Sequence, residues 1–483
     1  MNIERVIKKA QETNPNINTD IILRAYNFAE KAHRGQNRKS GEPYIEHPLH
    51  TAFNLAQIKA DLPTIVAGIL HDVPEDTDYT IEDIKENFGE EVCGLVEGIT
   101  KLGKIKYRGI ERYRENLRKM FLAMVDDIRI MYIKFCDRLH NLRTLDSLPE
   151  NKQQRIAKET LEIYAPIAGL LGIWRLKWQM EDICFKYIYP KEYKKIEYKY
   201  EIEKKSERNQ FFQRVKKILA KELTKTKIDY EITARFKHLY SIWEKMQRKD
   251  RKFDEIYDVF ALRVLVNNIE DCYKVLGIIH SIWKPITNRF KDYIAVPKPN
   301  GYRSLHTTII GPENKATEFQ IKTKEMHDES IYGSQDHWSY KNEKLEYKKP
   351  SWIKEILEIQ KENANAKDFV REIKGNIFQN RIFVFSPKGD VIELPEKSTP
   401  IDFAYAIHTD VGNKAVQALV NEKIESLDFE LKNGDLVEII IDKTRKGPNS
   451  NWLSFAKTKH AVNRIKQHSQ NKTLDKFKKM FNK

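Results

Sequence analysis

Between Asp292 and Thr308 a short span carries a cation, an amide, an aromatic ring and a titratable imidazole: Lys298, Asn300, Tyr302, Arg303, Ser304 and His306. Such a set suits a purine nucleotide, with Tyr302 stacked on the base and Lys298 and His306 on phosphate oxygens. An ordinary surface hairpin is the competing reading of the loop taken alone. Pro297, Pro299, Asn300 and Gly301 force a sharp polar turn. Residues 293–296 before it read as the end of one strand, and the apolar, β-branched residues 305–310 as the next.

A second constellation lies far upstream. His47, the pair His71-Asp72 and the distant Asp137 form a mixed nitrogen and oxygen set for one divalent ion. Two imidazoles with carboxylates suit Mn²⁺ or Fe²⁺, and the lack of thiolates excludes a typical structural zinc site. Each histidine taken singly is more often structural. The Asp72 carboxylate is harder to dismiss, because it follows the apolar run 64–70, where a charge costs free energy unless it is neutralised.

A third group spans 235–323. Arg235, Lys237, Ser241 and Lys245 can recur on one face of a helix opening near Arg235 and suit a triphosphate, with Arg235 able to stack on adenine. An amphipathic helix with solvated lysines is the alternative. Asp258 sits at the start of the predicted strand 257–266, and Glu318 and Gln320 share one face of the strand 317–323 by two-residue alternation. Two carboxylates on neighbouring strands, ringed by cations, are what Mg²⁺-assisted transfer to a hydroxyl requires. Asp258 would hold the metal on the ATP phosphates, and Glu318 would assist the metal or accept the proton of a ribose hydroxyl.

The elements that position these groups are legible in outline. Apolar residues at three- and four-residue spacing predict helices from Thr19 to about Pro149. A helical connector, apolar on one side through Leu161, Ile163, Tyr164, Ile167, Leu171, Ile173, Trp174, Trp178 and Ile183, follows to about Lys195. Residues 200–218 read as a charged helix before strands and helices alternate, and a Lys/Glu-rich helical linker occupies 341–378. Residues 381–395 alternate as a β-hairpin turning at 387–390, followed by a short helix at 401–408 and strands at 414–420 and 435–441. The tail from Lys443 reads as basic and helical, with Trp452, Lys457, Lys459, Arg464 and Lys466 as an RNA-facing segment.

Along nearly its whole length the chain resembles the RelA/SpoT family, enzymes that make and destroy the alarmone (p)ppGpp, in its long bifunctional form without the last C-terminal regulatory domains. The resemblance implies a multidomain protein: an all-α HD phosphohydrolase domain (1–150), the connector (151–195), an α+β nucleotidyltransferase-like synthetase domain (196–345), the linker (346–378), a small β-grasp TGS domain (379–442) and the basic helical tail (443–483). By that match His47, His71, Asp72 and Asp137 hold Mn²⁺, Glu75 and Asp76 do proton work, and Arg38, Lys39 and Asn141 contact the hydrolysed nucleotide. Asp258 and Glu318 serve pyrophosphate transfer from ATP to the 3′-hydroxyl of GTP or GDP. Arg289-Phe-Lys291-Asp292 fits the bifunctional branch, adding Lys291 to the phosphate-binding cations, while Gln320 joins Lys298, Asn300, Tyr302 and His306 around the guanine nucleotide. His327 and His337-Trp338 belong to the closing sequence of the synthetase. His408 matches a position that contacts the acceptor end of uncharged tRNA, which makes tRNA and the ribosome expected partners. Three positions depart from the family pattern: Pro74, where an apolar residue is usual, Leu170, where Arg is usual, and Arg303, where Gln is common. Two competing readings are a hydrolase-dominant enzyme whose synthetase domain senses nucleotides, and a non-enzymatic tRNA- or ribosome-binding factor.

Length and composition agree with such a protein. The 483 residues suffice for roughly three domains at ~100–200 residues each. A net charge of +15 and a pI near 9.2 favour polyanionic partners, although a generally Lys-rich composition has the same effect. Mean hydropathy is −0.64, and no apolar run approaches the ~20 residues that span a bilayer. Cys93, Cys136, Cys184 and Cys272 lie far apart with no CxxC spacing, and the N-terminus lacks a signal-peptide core. A reducing cytoplasm is the expected location.

Overall fold

The computed structural model describes all residues except 104–118, 121–122, 124–125, 206, 250–252, 254–259, 298–301, 333–380, 389, 433, 446 and 470–483. Asp258, Lys298, Asn300, His337, Trp338 and the linker 346–378 therefore lie outside the described residues. The chain forms two compact units, Met1–Lys367 and Asp368–Lys483. Among the described residues no helix is long and apolar enough to cross a membrane.

The first unit begins with helices, as the periodicity predicts: Ile3–Thr13, Thr19–Ala32, Glu46–Gln57, Leu62–Leu70, Val73–Asp76, Ile81–Gly103 and Arg129–Arg143. Polar caps set their starts. Asn2 accepts from the Arg5 amide, Asn18 from Asp20 and Ile21, and Asp61 from Thr64. The run 64–70 is fully buried. It packs so closely on Glu46–Gln57 that a Cβ on Gly68 would stand 2.4 Å from Leu55 Cδ1. That approach brings the His47 and His71 rings to 5.3 Å between centroids. Gly89 (φ 87°) kinks the helix Ile81–Gly103 with a backbone that side chains other than glycine's rarely adopt.

Pro74 stands where one helix, Leu62–Leu70, has ended and another starts. It falls in the first turn of Val73–Asp76, where its missing N–H costs nothing, and the Glu75 and Asp76 amides bond back to the Asp72 carbonyl. Arg129 ties the helices together, its side chain only 5% exposed and paired with Asp61 at 2.9 Å, Glu91 at 2.8 Å and Asp127 at 2.7 Å. Arg129→Met would strand three carboxylates. It is expected to cost about 3 kcal/mol, the low end for breaking a buried pair because the carboxylates keep some water. Chemical denaturation of the variant measures it.

The connector is helical through Glu150–Glu159, one π turn at Thr160–Tyr164, Ala165–Leu170 and Trp174–Ile188. Ile163, Tyr164, Ile167, Leu171 and Ile173 are buried as expected, but Trp178 is 41% exposed and lies beside the His238 ring. The charged helix expected at 200–218 is two helices, Pro190–Lys205 and Glu207–Leu223.

Beyond them a five-stranded sheet has the order β1-β2-β5-β4-β3. Its strands are β1 (Tyr230–Phe236), β2 (Phe260–Val266), β3 (Lys291–Asp292), β4 (Leu305–Ile310) and β5 (Ala316–Thr323). β2 and β5 run parallel, and the other neighbours antiparallel. One face carries Ile232, Leu262, Val264, Leu305, Ile309, Phe319 and Ile321 into a core with Phe211, Val215, Leu219, Val275 and Ile279 of two helices. Residues 293–296 form a turn rather than a strand end. The Asp292 carboxylate accepts from the Ile294 and Ala295 amides at 2.9 and 2.8 Å and ends β3 there. Arg235 also departs from expectation. It belongs to β1, and the following helix begins only at Leu239.

The helical and sheet parts of this unit touch through Lys59. This residue follows the helix Glu46–Gln57 with φ 61°, and its ammonium meets Asp328 at 2.7 Å and lies 4.6 Å from the Tyr332 ring centre.

The second unit is the expected small β-grasp arrangement. Strands β6 (Arg381–Phe385) and β7 (Val391–Pro395) pair as the hairpin, and β8 (Ala415–Val420), β9 (Lys423–Glu425) and β10 (Val437–Ile441) form a sheet ordered β10-β8-β9. A parallel bridge between Phe385 and Leu436 joins them, and the helix Pro400–Ile407 packs on β7, β8 and β10. The buried Asp402 carboxylate caps that helix at Thr399 and also accepts from the Lys457 and Thr458 amides at 2.9 and 2.7 Å. The tail is thereby anchored, with a 3₁₀ turn at Ser450–Ser454 and a helix over 459–469. Trp452 is not RNA-facing. It is 6% exposed, packed with Ile401, Tyr405 and Ala461, with the Arg445 guanidinium 4.6 Å from its ring centre. Lys457, Arg464 and Lys466 are exposed.

Candidate functional site

Folding brings the four predicted metal ligands to one point. His47 Nε2 lies 3.4 Å from Asp72 Oδ2 and 3.3 Å from Asp137 Oδ1, and His71 Nε2 lies 3.2 Å from Asp72 Oδ1. Ligand atoms of His47, His71 and Asp137 all fall within 4.8 Å of one another, and all three residues are buried. His47 opens one helix, His71 and Asp72 fill the junction of the next two, and Asp137 projects from Arg129–Arg143.

The protonation pattern fits a cation. His71 Nδ1 is 2.9 Å from the Gly68 carbonyl, which can only accept, so the proton is on Nδ1 and the lone pair on Nε2. That buried Nε2 makes no hydrogen bond. A bare imidazole nitrogen facing carboxylates is repulsive until a positive ion lies between them. The residues present therefore fit a divalent metal by donor set, burial and tautomer.

Burial opposes charge on Asp137, but the Lys134 ammonium at 2.7 Å outweighs it and holds the carboxyl well below its usual range. Tyr44, missed by the sequence reading, donates to Asp72 Oδ2 at 3.0 Å and Asp76 Oδ2 at 2.5 Å. Its phenol is pushed up by burial and by both carboxylates, so it stays a donor. Glu75 is raised, first by burial and then by Asp72 and Asp76.

Arg38 and Asn141 join the network. Arg38 Nη2 donates to Asn141 Oδ1 at 2.6 Å, and Asn141 Nδ2 to Asp137 Oδ1 at 2.5 Å. Lys39 is exposed on the same loop. Lys134 and His140, three residues either side of Asp137 on its helix, were also missed. Their i±3 spacing was the available signal.

The second site lies on the polar face of the five-stranded sheet. Register puts Arg235, Ala261, Glu318 and Thr308 in one row, and Thr233, Arg263, Gln320, His306 and Lys291 in the next. The expected shared face of Glu318 and Gln320 holds, with Gln320 Nε2 donating to Glu318 Oε1 at 3.2 Å. His306 Nδ1 is 3.5 Å from the same oxygen, and its Nε2 is 2.9 Å from Tyr302 Oη. Arg263 and Lys322, which two-residue alternation would have revealed, complete the face. Lys322 is 2% exposed, donates to Ser330 and lies 4.9 Å from the Tyr302 ring centre. Burial first, then Arg263 and Arg235, push its ammonium well below the usual lysine range. His327 is likewise lowered to about 4, by burial and then Arg263 and Lys322.

Two expected contacts are engaged elsewhere. Arg303 pairs with both oxygens of Glu329 at 3.0 and 2.9 Å, so here it braces the loop against the helix Lys324–Tyr332. Ser241 bonds His238 at 2.7 Å, and His238 meets Glu181 of the connector at 3.1 Å. Asp182 accepts from the Tyr240 amide at 2.9 Å, so the connector grips the start of the helix Leu239–Lys249, which also carries Lys245. Lys237 lies in the turn before that helix, and Lys291 is exposed on β3. In the second unit His408 is exposed and caps the helix Thr409–Lys414 by accepting from the Asp410 amide.

One compact unit thus carries a helical centre whose donors suit one divalent ion and a mixed sheet with a polar face. Residues 25–174 match the HD domain family, 234–345 the region found in RelA/SpoT proteins, and 382–441 the TGS domain. A guanosine-3′,5′-bis(diphosphate) 3′-pyrophosphohydrolase of Aquifex aeolicus is 47% identical over 462 residues, covering 94% of this chain and 65% of that protein. A GTP pyrophosphokinase of Myxococcus xanthus is 44% identical, covering 98% and 64%. The bifunctional (p)ppGpp synthase/hydrolase SpoT of Escherichia coli is 43% identical, covering 94% and 65%. The chain thus spans just under two thirds of these relatives. Residues 234–345 match the region that gives the RelA/SpoT proteins their name, and the similarity to these relatives runs along nearly the whole chain.

Proposed function

We propose that the chain is a bifunctional alarmone enzyme: it hydrolyses (p)ppGpp to GDP or GTP and pyrophosphate at the helical centre, and transfers pyrophosphate from ATP to the 3′-hydroxyl of GTP or GDP on the sheet. The observation that carries the hydrolase half is the convergence of His47, His71, Asp72 and Asp137, spread over 90 residues of sequence, with a lone pair of His71 aimed inward. When bound there, Mn²⁺ supplies a water of lowered pKa and polarises a phosphoryl oxygen. Glu75, its carboxyl raised by burial, is suited to take the proton of the attacking water, and Tyr44 orients Asp76 beside it. Arg38, Lys39 and Asn141 hold the nucleotide.

Arg235 and Lys291 on the sheet, with Lys237 and Lys245 in the turn and helix after β1, face the ATP phosphates, with Ser241 at the helix start. Asp258 carries the Mg²⁺ role by its family position. Glu318 takes the proton of the ribose hydroxyl, while Lys298, Asn300, His306 and Gln320 surround the guanine nucleotide. A base on Tyr302 would take the ring face opposite Lys322. The reading divides the chain as 1–150, 151–195, 196–345, 346–378, 379–442 and 443–483, and the matched HD region, 25–174, runs on into the connector. Four buried, unpaired cysteines suit a reducing cytoplasm.

Incubation with ATP and GTP under Mg²⁺, then with ppGpp under Mn²⁺, tests both halves: new ppGpp or pppGpp in the first, pyrophosphate release in the second. Neither product from folded protein would overturn the reading. Tyr302→Ala is expected to lower synthesis about tenfold or more, since a stacked base is worth roughly 1–3 kcal/mol, with hydrolysis unchanged. The TGS unit is read as a tRNA- or ribosome-binding module through the exposed His408. Salt-dependent co-sedimentation with ribosomes, lost without residues 379–483, is the result expected.

A further inference from the structure

His140 has no part in the roles described above, yet it is 3% exposed and sits at the centre of the hydrolase site. It follows Asp137 by three residues, so both project from one face of the helix Arg129–Arg143. Its ring stacks on His50 with centroids 4.3 Å apart and planes 12° from parallel. Two groups reach its Nδ1: Arg38 Nη1 at 2.9 Å and His47 Nδ1 at 2.7 Å.

The identity of the donors decides the tautomer. A guanidinium has only N–H donors, so the nitrogen Arg38 points at must offer a lone pair. His140 Nδ1 is therefore an acceptor and its ring proton sits on Nε2. His47 Nδ1, meeting that same lone pair, must donate. The His47 proton is thus on Nδ1, and Nε2 is the nitrogen 3.3 Å from Asp137 and 3.4 Å from Asp72. His71 reaches the same state by donating to a backbone carbonyl.

We propose that His140 is a positioning residue. Its Nδ1 lone pair fixes the tautomer and ring orientation of His47 as a metal ligand, and by the same atom seats Arg38 beside the metal centre. The inference rests on the metal-centre reading above. A ligating imidazole whose other N–H is held by an outer acceptor binds its ion in one orientation, and loss of such an acceptor typically costs ~10–100-fold in metal affinity. Here that acceptor is a second imidazole, so its effect depends on which atom of residue 140 lies near His47 and not on polarity alone.

Two amide replacements separate these. Asn places its carbonyl oxygen about where Nδ1 stands, whereas Gln carries its amide out toward the Nε2 position. The full chain with His140→Asn and with His140→Gln is titrated with Mn²⁺ alone, reading the free-ion signal by electron paramagnetic resonance and confirming folding by thermal melting. Affinity near wild type for Asn and weaker by ~10–100-fold for Gln is the result expected. Wild-type affinity in both variants overturns the positioning role. Equal weakening in both, with melting unchanged, overturns the account by acceptor position. A wild-type chain that takes up no Mn²⁺ overturns the metal-centre reading and this inference with it, an outcome distinct from a wild type that binds beside a Gln variant that binds equally well.

Discussion

Asp72→Ala is expected to lower (p)ppGpp hydrolysis by more than about 100-fold, beyond the ~10–100-fold typical of losing only an outer partner of a ligand. Asp72 contributes one oxygen toward each imidazole, Oδ1 to His71 and Oδ2 to His47, and Oδ2 also accepts from Tyr44. Its removal leaves two lone-pair nitrogens and one carboxylate, a poor set for a hard divalent ion. Tyr44 keeps Asp76 as a partner, so the fold should survive and melting should remain cooperative. Pyrophosphate transfer from ATP should be unchanged, because the sheet face shares no residue with this centre. Pyrophosphate release from ppGpp at saturating Mn²⁺ measures the first activity, and ppGpp formation under Mg²⁺ the second. Loss of both in a folded variant would mean one shared site.

Glu318→Gln is the reciprocal case. The substitution preserves shape and leaves the row of Arg235, Ala261 and Thr308 intact, but removes the negative charge that His306 and Gln320 face. If Glu318 accepts the ribose proton, synthesis should fall by about 10²–10⁴-fold with KM for ATP little changed. Hydrolysis of ppGpp should stay at the wild-type rate. A variant that makes ppGpp normally would remove Glu318 from the chemistry and leave it an orienting partner of His306.

The helical and sheet parts of the first unit are also joined physically. The helix that begins with His47 leads to Lys59, which grips Asp328 and Tyr332 of the helix carrying His327 and Glu329. The connector meanwhile holds the start of the helix Leu239–Lys249 through Glu181 and Asp182. If the chain carries both proposed reactions, these contacts are where slowing one while the other runs would be transmitted.

The sequence by itself determined the helical and mixed parts and the hairpin, helix and strands of the second unit. Those follow from local rules: apolar spacing, two-residue alternation and turn residues. It also placed Glu318 and Gln320 on one face, because alternation along a strand needs no partner. Only the tertiary structure decided the rest. Arg235 proved a strand residue, since pairing with β2 outweighed a helix-like spacing of cations. Trp452, read from composition as exposed, fills an apolar core that the anchored tail completes. Lys322 is buried because its strand lies inside the sheet, and a lysine looks like surface until its neighbours are known. The tautomer of His47 was the least legible feature, because it depends on His140 and Arg38, 93 and 102 residues apart from their partners in sequence. A hydrogen bond is set by distance and direction between two atoms, and for groups so far apart along the chain only the folded backbone supplies either.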